Sequence, residues 1–162
     1  MESIWVSYNS FGLKGVELIA GLSVAQANIS PFKYVLCKSG GNKLGDEGVR
    51  ALMKYDWSNL KKIFLSGCSI SDEGLELLCV SDWPNLELLK LNRNRITSRG
   101  VVELSRKEWK RLEMIHMRDN KIDDEGGKMI VEGEWPSLKT IQLGTYAAMQ
   151  TEMAFRRRSR KD

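Results

Sequence analysis

The chain has one histidine and three cysteines in 162 residues. Zinc sites built from Cys and His need several such ligands at close spacing. There is no Cys-x-x-Cys, and Cys37, Cys68 and Cys79 have no histidine near them in sequence. No metal or other cofactor is therefore expected. An odd number of cysteines does not read as a disulfide framework. Buried, reduced thiols are the simpler reading, and they place the chain in a reducing, cytoplasmic setting, with a nuclear one also open. No apolar run approaches the ~18 residues of a membrane span. Met1 is followed by Glu2 and a strand-like alternation, not by a basic segment and an apolar run, so no secretory leader is expected.

Charge of one sign is also lacking, except at one end. The chain carries 25 basic and 21 acidic residues. Arg156, Arg157, Arg158, Arg160 and Lys161, with one acid among them, account for the whole excess. Residues 1–155 are balanced, so the basic character belongs to the tail and not to the body. Termini with no apolar content are commonly solvated and mobile. The other uses of such a run are contact with nucleic acid, an acidic surface or the import machinery of the nucleus.

What the chain does have is a repeat. Leu44, Ile70, Ile96 and Ile122 are 26 residues apart. Four residues after each stands a glycine (Gly48, Gly74, Gly100, Gly126), and eight after each an aliphatic residue (Leu52, Leu78, Leu104, Ile130). Thirteen after each comes Trp57, Trp83, Trp109 or Trp135. Three residues beyond each tryptophan a leucine (Leu60, Leu86, Leu112, Leu138) opens the next copy. A fixed period of this length is the mark of a solenoid. A tryptophan repeated at one phase reads as core packing before it reads as a ligand site.

The segments after the tryptophans are Leu60-x-x-Ile63-x-Leu65-x-x-Cys68-x-Ile70, Leu86-x-x-Leu89-x-Leu91-x-x-Asn94-x-Ile96 and Leu112-x-x-Ile115-x-Met117-x-x-Asn120-x-Ile122. This resembles the leucine-rich repeat, and its length and Asn/Cys alternation are similar to the ribonuclease-inhibitor-like class. The resemblance implies an α/β horseshoe with parallel strands on the concave face and helices on the convex face. It covers about residues 1–145, strongly from 44 onward. The expected division is an irregular region at 1–43, regular 26-residue repeats over 44–145, and a capping helix with the basic tail over 146–162.

Each part carries its own expectation. Ile63 and Leu65, Leu89 and Leu91, Ile115 and Met117, and Ile141 and Leu143 point inward from short strands. Asn94 and Asn120 satisfy backbone groups where the chain leaves the strand. Ser71, Asp72, Thr97, Ser98, Asp123 and Asp124 offer helix N-caps. The recurring pairs Asp46-Glu47, Asp72-Glu73 and Asp124-Glu125 read as compensation of the helix dipole and not as catalytic carboxylates. The glycine column lets each helix approach its neighbouring turn, and Gly127 in place of an aliphatic residue weakens the fourth copy. Met1-x-x-Ile4-x-Val6 and Phe32-x-x-Val35-x-Cys37 supply two earlier strands, but Phe11 to Leu44 is 33 residues, seven beyond the period. Gly40-Gly41-Asn42 makes an irregular strand exit and lacks the context of a phosphate loop. An N-terminal repeat without a cap calls for cover by a further segment or another chain. Tyr146, Met149 and Met153 can share one face of the C-terminal helix.

Function then has to come from surface. The outward strand positions form a central column of Trp5, Leu36, Phe64, Lys90, His116 and Gln142. Beside it runs a column of Ser7, Lys38, Ser66, Asn92, Arg118 and Gly144, flanked by Lys62, Arg93 and Asp119. Aromatic and arginine side chains are enriched where interfaces bind hardest. The sequence points to a non-enzymatic scaffold or complex subunit that binds an acidic protein partner through Trp5, Lys62, Phe64, Lys90, Asn92, Arg93, His116, Arg118 and Gln142. One alternative is a nucleic-acid-associated protein held by the basic tail. Some proteins of the resembled fold speed GTP hydrolysis by a bound GTPase, so an accessory regulator of a GTPase or ubiquitin-ligase complex is the other.

Overall fold

The computed structural model describes residues 44–144 and, as backbone, the strands at 3–5 and 34–37. The expected irregular stretch between those strands, the Gly40-Gly41-Asn42 exit, the C-terminal capping helix and the basic tail lie outside the described residues.

Leucine-rich segments become strands because apolar residues alternate, and the glycine-led segments become helices because apolar residues recur at helical spacing. The described order is β1 (Ser3–Trp5), β2 (Tyr34–Cys37), α1 (Gly45–Leu52), β3 (Lys62–Leu65), α2 (Asp72–Val80), β4 (Leu88–Lys90), α3 (Ser98–Arg106), β5 (Met114–His116), α4 (Asp124–Glu132) and β6 (Thr140–Gln142). The six strands form one parallel sheet in sequence order. The helices line up on its other side, each against the next. From β3 onward neighbours in register are 26 residues apart, as with Lys62, Leu88, Met114 and Thr140. Ser3 meets Tyr34 and Tyr34 meets Lys62, offsets of 31 and 28 residues. The seven extra residues therefore split into five before β2 and two after it.

The core runs the length of the stack between sheet and helices. Ile63, Leu65, Leu89, Leu91, Ile115, Met117, Ile141 and Leu143 face it from the strands, and Val49, Leu75, Val101 and Ile130 from the helices. Trp57, Trp83 and Trp109 close it where helix returns to strand, and Trp135 is half-buried. Each indole N–H donates to the carbonyl five residues earlier: Leu52 at 2.6 Å, Leu78 at 2.7 Å, Leu104 at 3.0 Å and Ile130 at 2.7 Å. The tryptophan thus fills the core and also satisfies a carbonyl that the end of a helix leaves without a partner.

Two of the carboxylates at the helix starts do more than compensate a dipole. Ser71, Thr97 and Asp123 are the N-caps. Asp46, in the first turn of α1, also reaches forward one repeat. It accepts from Ser71 N at 2.8 Å, Ser71 Oγ at 2.6 Å and Gly74 N at 3.1 Å. Asp72 does the same to Thr97 N at 2.7 Å and Thr97 Oγ1 at 2.6 Å. Asp72, Ser98 and Asp124 are therefore first helical residues and not N-caps, while the three acidic pairs do lie in first turns, where they suit the helix dipole. The glycine column follows from this reach: a Cβ on Gly100 would lie 2.5 Å from Asp72 Oδ1, and one on Gly126 2.5 Å from Ser98 Oγ.

Ser98 stands at the position of Asp46 and Asp72. It donates to Asp123 Oδ1 at 2.5 Å and accepts from Asp123 N at 3.1 Å. That hydroxyl and the Gly126 N–H hold the Asp123 carboxyl below its ordinary range. A lowered folded pKa contributes stability above the ordinary carboxylate range that is lost as pH falls through the folded value. In Ser98→Ala the Asp123 pKa should rise toward the ordinary value, as read by NMR titration of its carboxyl carbon.

The chain leaves β3, β4 and β5 through a left-handed residue: Gly67 at φ 67°, Arg93 at 55° and Asp119 at 57°. Glycine adopts this conformation freely, whereas other residues are strained in it by about 1–2 kcal/mol. The exposed Arg93–Asp119 pair at 3.3 Å offsets little of this. Asp119→Gly should therefore raise stability by up to about 1 kcal/mol, measured as a higher urea midpoint.

Candidate functional site: the outer face of the sheet

Residues between the inward-facing pairs must face out, because side chains alternate along a strand. Trp5, Leu36, Phe64, Lys90, His116 and Gln142 are matched in register across the six strands. Adjacent strands lie about 4.8 Å apart, so these positions form one continuous strip. Phe64, Lys90, His116 and Gln142 are half-buried, and Arg118, two residues beyond the end of β5 at His116, is exposed. Asn92 braces the next column: its Oδ1 accepts from Arg118 N at 2.8 Å. Arg93 lies on the exit turn with its guanidinium on Asp119, at the rim.

Asn94 fixes that exit. Its Oδ1 accepts from Cys68 N and Ile70 N, both at 3.1 Å, and its Nδ2 donates to Leu65 O at 2.8 Å and Leu91 O at 2.9 Å. Asn120 repeats the pattern with Ile96 N, Leu91 O and Met117 O. Cys68, at the same phase, directs its Sγ to Ser66 O at 3.6 Å.

A further outward column was not singled out in the sequence beyond its first member. Lys62 aligns with Leu88, Met114 and Thr140. Extending the period-two alternation back by one step identifies it. Leu88 is only 8% exposed, nearly covered by its neighbours, and Met114 is half-buried, so this column adds little free apolar surface to Phe64.

The face has a sign. No acidic residue occupies the outward positions of β3–β6 or the next residue outward beyond each strand. The acids at its margins are compensated: Glu87 by Lys61 and Glu113 by Lys139, each at 2.7 Å, and Asp119 by Arg93. Lys90 and Arg118 have no carboxylate partner among the described residues. The four helices on the other side hold nine acidic and four basic residues.

Other chemistry finds little to build on. Among the described residues no group of three or more His, Cys, Asp or Glu is placed to hold a metal. Cys68 is fully buried, and burial pushes the Cys79 thiol up to about 12, so its thiolate is scarce at neutral pH. No described helix is long and apolar enough to cross a membrane.

The family model described as "Leucine Rich repeat" matches residues 40–53, 58–79, 84–105 and 112–131. The chain is a leucine-rich repeat protein. The last three matched segments follow the strand-to-helix units of the solenoid, and the first, from Gly40, covers α1 alone. A comparison with curated proteins gave no match. Leucine-rich repeats are in general protein–protein interaction modules.

Proposed function

We propose that this leucine-rich repeat protein is a non-enzymatic scaffold or complex subunit, and that it binds an acidic protein partner on its concave sheet. The reading is carried by one observation: the outward strand positions hold Phe64, Lys90, His116 and Arg118 and no acid, while the helical face is predominantly acidic. Burial of an aromatic gives affinity, and charge-assisted bonds from arginine give orientation. Trp5 extends the strip at one end and Gln142 at the other. Free thiols at Cys68 and Cys79 support a reducing, cytoplasmic location.

The test compares the full chain with a Phe64→Ala/Arg118→Ala variant whose circular dichroism is unchanged. Both are used for affinity capture with quantitative mass spectrometry. Capture of the principal partner should fall by about tenfold or more, since two such contacts exceed 1.4 kcal/mol together. Unchanged capture, with loss on deleting residues 156–162, would transfer binding to the tail. Salt dependence near one logarithmic unit per phosphate contact would then favour nucleic acid.

A further inference from the structure

We infer that the groove beside Trp135 is a second interaction surface, opposite in sign to the concave sheet, which takes a lysine side chain from a basic segment of a protein partner. It lies outside the acidic-partner reading of the sheet, and the two stand or fall separately.

The groove opens at the edge of the solenoid where α3 and α4 return toward β5 and β6. Val102, Met129 and Trp135 give it apolar walls, and its volume is about 1260 Å³. That exceeds the ~300–1,000 Å³ of small-molecule sites, so it has room for a peptide segment around the lysine.

One repeat earlier the equivalent place is filled from within the chain. Lys107 Nζ donates to Ser81 O at 2.7 Å and stands 5.2 Å from the centre of the Trp109 ring. An aromatic face attracts a cation within about 6 Å. One period on, Gly133 takes the place of Lys107, and Trp135 that of Trp109. The two indoles are held alike, for each donates to the carbonyl five residues earlier, at 3.0 Å from Trp109 and 2.7 Å from Trp135. The Trp135 ring is thus presented as the Trp109 ring is, without an ammonium from position 133. A side chain there is also excluded, since a Cβ on Gly133 would lie 2.7 Å from Trp135 Nε1. Trp109 is 2% exposed, whereas Trp135 is only half-buried.

The charge around the groove selects the same group. Its cations are already engaged: Arg106 with Glu103 at 2.8 Å, Lys139 with Glu113 at 2.7 Å, and Lys107 with Ser81 O. Glu108, Glu132 and Glu134 line it too, are exposed, and make no ion pair among the described residues. An incoming ammonium meets those carboxylates and the Trp135 ring together, and an incoming anion is repelled. Lysine also lays a four-carbon stem on apolar surface while its head stays polar, which suits the mixed walls.

The probe is a short fluorescent peptide of lysines spaced by glycine and serine. Its control carries the same lysines acetylated, which keeps the stem and removes the charge. Affinity is measured by anisotropy against the full chain, and contact by the NMR shifts of the Trp135 indole N–H and the Gly133 amide. The unmodified peptide should bind at least about fivefold more tightly than the control and move both signals. In Glu132→Gln/Glu134→Gln, a pair of exposed changes, its affinity should fall by about threefold or more. In Phe64→Ala/Arg118→Ala it should be unchanged.

Equal binding of the two peptides would overturn the cation site. Shifts confined to the helix starts, with Trp135 unmoved, would overturn the groove in favour of diffuse attraction to an acidic face. Absence of binding to the full chain would overturn the partner lysine. If deleting residues 156–162 then restored binding, the groove would belong to this chain's own basic run. None of these outcomes alters capture of the acidic partner, which is read at Phe64 and Arg118.

Discussion

Trp109→Ala should cost this solenoid about 3–5 kcal/mol, the range for emptying a large aromatic site. Trp109 is 2% exposed and packs in the continuous core between one helix and the following strand. Its indole N–H is 3.0 Å from Leu104 O at the end of α3, and Lys107 Nζ stands 5.2 Å from its ring. The alanine variant loses core volume, strands that carbonyl and removes a cation–π contact at one stroke. Trp109→Phe separates the parts, because it keeps most of the apolar filling and loses the donor. It should cost about 1–3 kcal/mol, the penalty of an unsatisfied buried group. Trp135→Ala should cost less than Trp109→Ala, since Trp135 is half-buried. Urea denaturation of the three variants gives the order. A repeat array is stabilised by interfaces between neighbours, so a central defect weakens coupling on both sides. Equal midpoints for Trp109→Ala and the wild type would make the tryptophan column a surface feature and return it to consideration as a binding site.

Much of the fold was readable because equal phase in the sequence means adjacency in space. Once Phe64, Lys90, His116 and Gln142 share a phase of the 26-residue period, parallel stacking puts them side by side, as the register shows. The inward pairs and the asparagine bonds followed from alternation and from the need to satisfy backbone at a turn. What escaped were contacts from one repeat to the next that no local motif encodes. Asp46 caps a helix 25 residues downstream, whereas helix-start reasoning looks only at the helix that follows directly. The left-handed Arg93 and Asp119 gave no sign of their conformation, although Gly67 at the same phase was the clue. Leu88 and Met114 were passed over because the motif draws the eye to the residue between the inward pair. The partner surface is less legible in kind: outward positions are released from the period, so only their chemistry speaks.

Asn94→Ala should be the other severe loss, about 3–5 kcal/mol, although it removes few atoms. Asn94 is 8% exposed, the one polar or charged residue that is buried among those described. Its amide joins two backbone N–H groups and two carbonyls across adjacent repeats. Alanine satisfies none of them. Each buried group left without a partner costs about 1–3 kcal/mol, with water entering the outermost turn to relieve part of the sum. Asn120 makes the same kind of bonds but is less buried, so Asn120→Ala should cost less, by about 1 kcal/mol or more. Asn94→Asp is the discriminating variant. It keeps the two acceptor bonds from Cys68 and Ile70 and places a carboxylate against the carbonyls of Leu65 and Leu91, where repulsion and burial both oppose the charge. Its stability should rise as pH falls through the raised pKa of that carboxyl, because the neutral acid can donate to one of the carbonyls. A pH-independent loss equal to that of Asn94→Ala would mean that the exit turn is held by packing alone, and the asparagine ladder would lose its place as the joint between repeats.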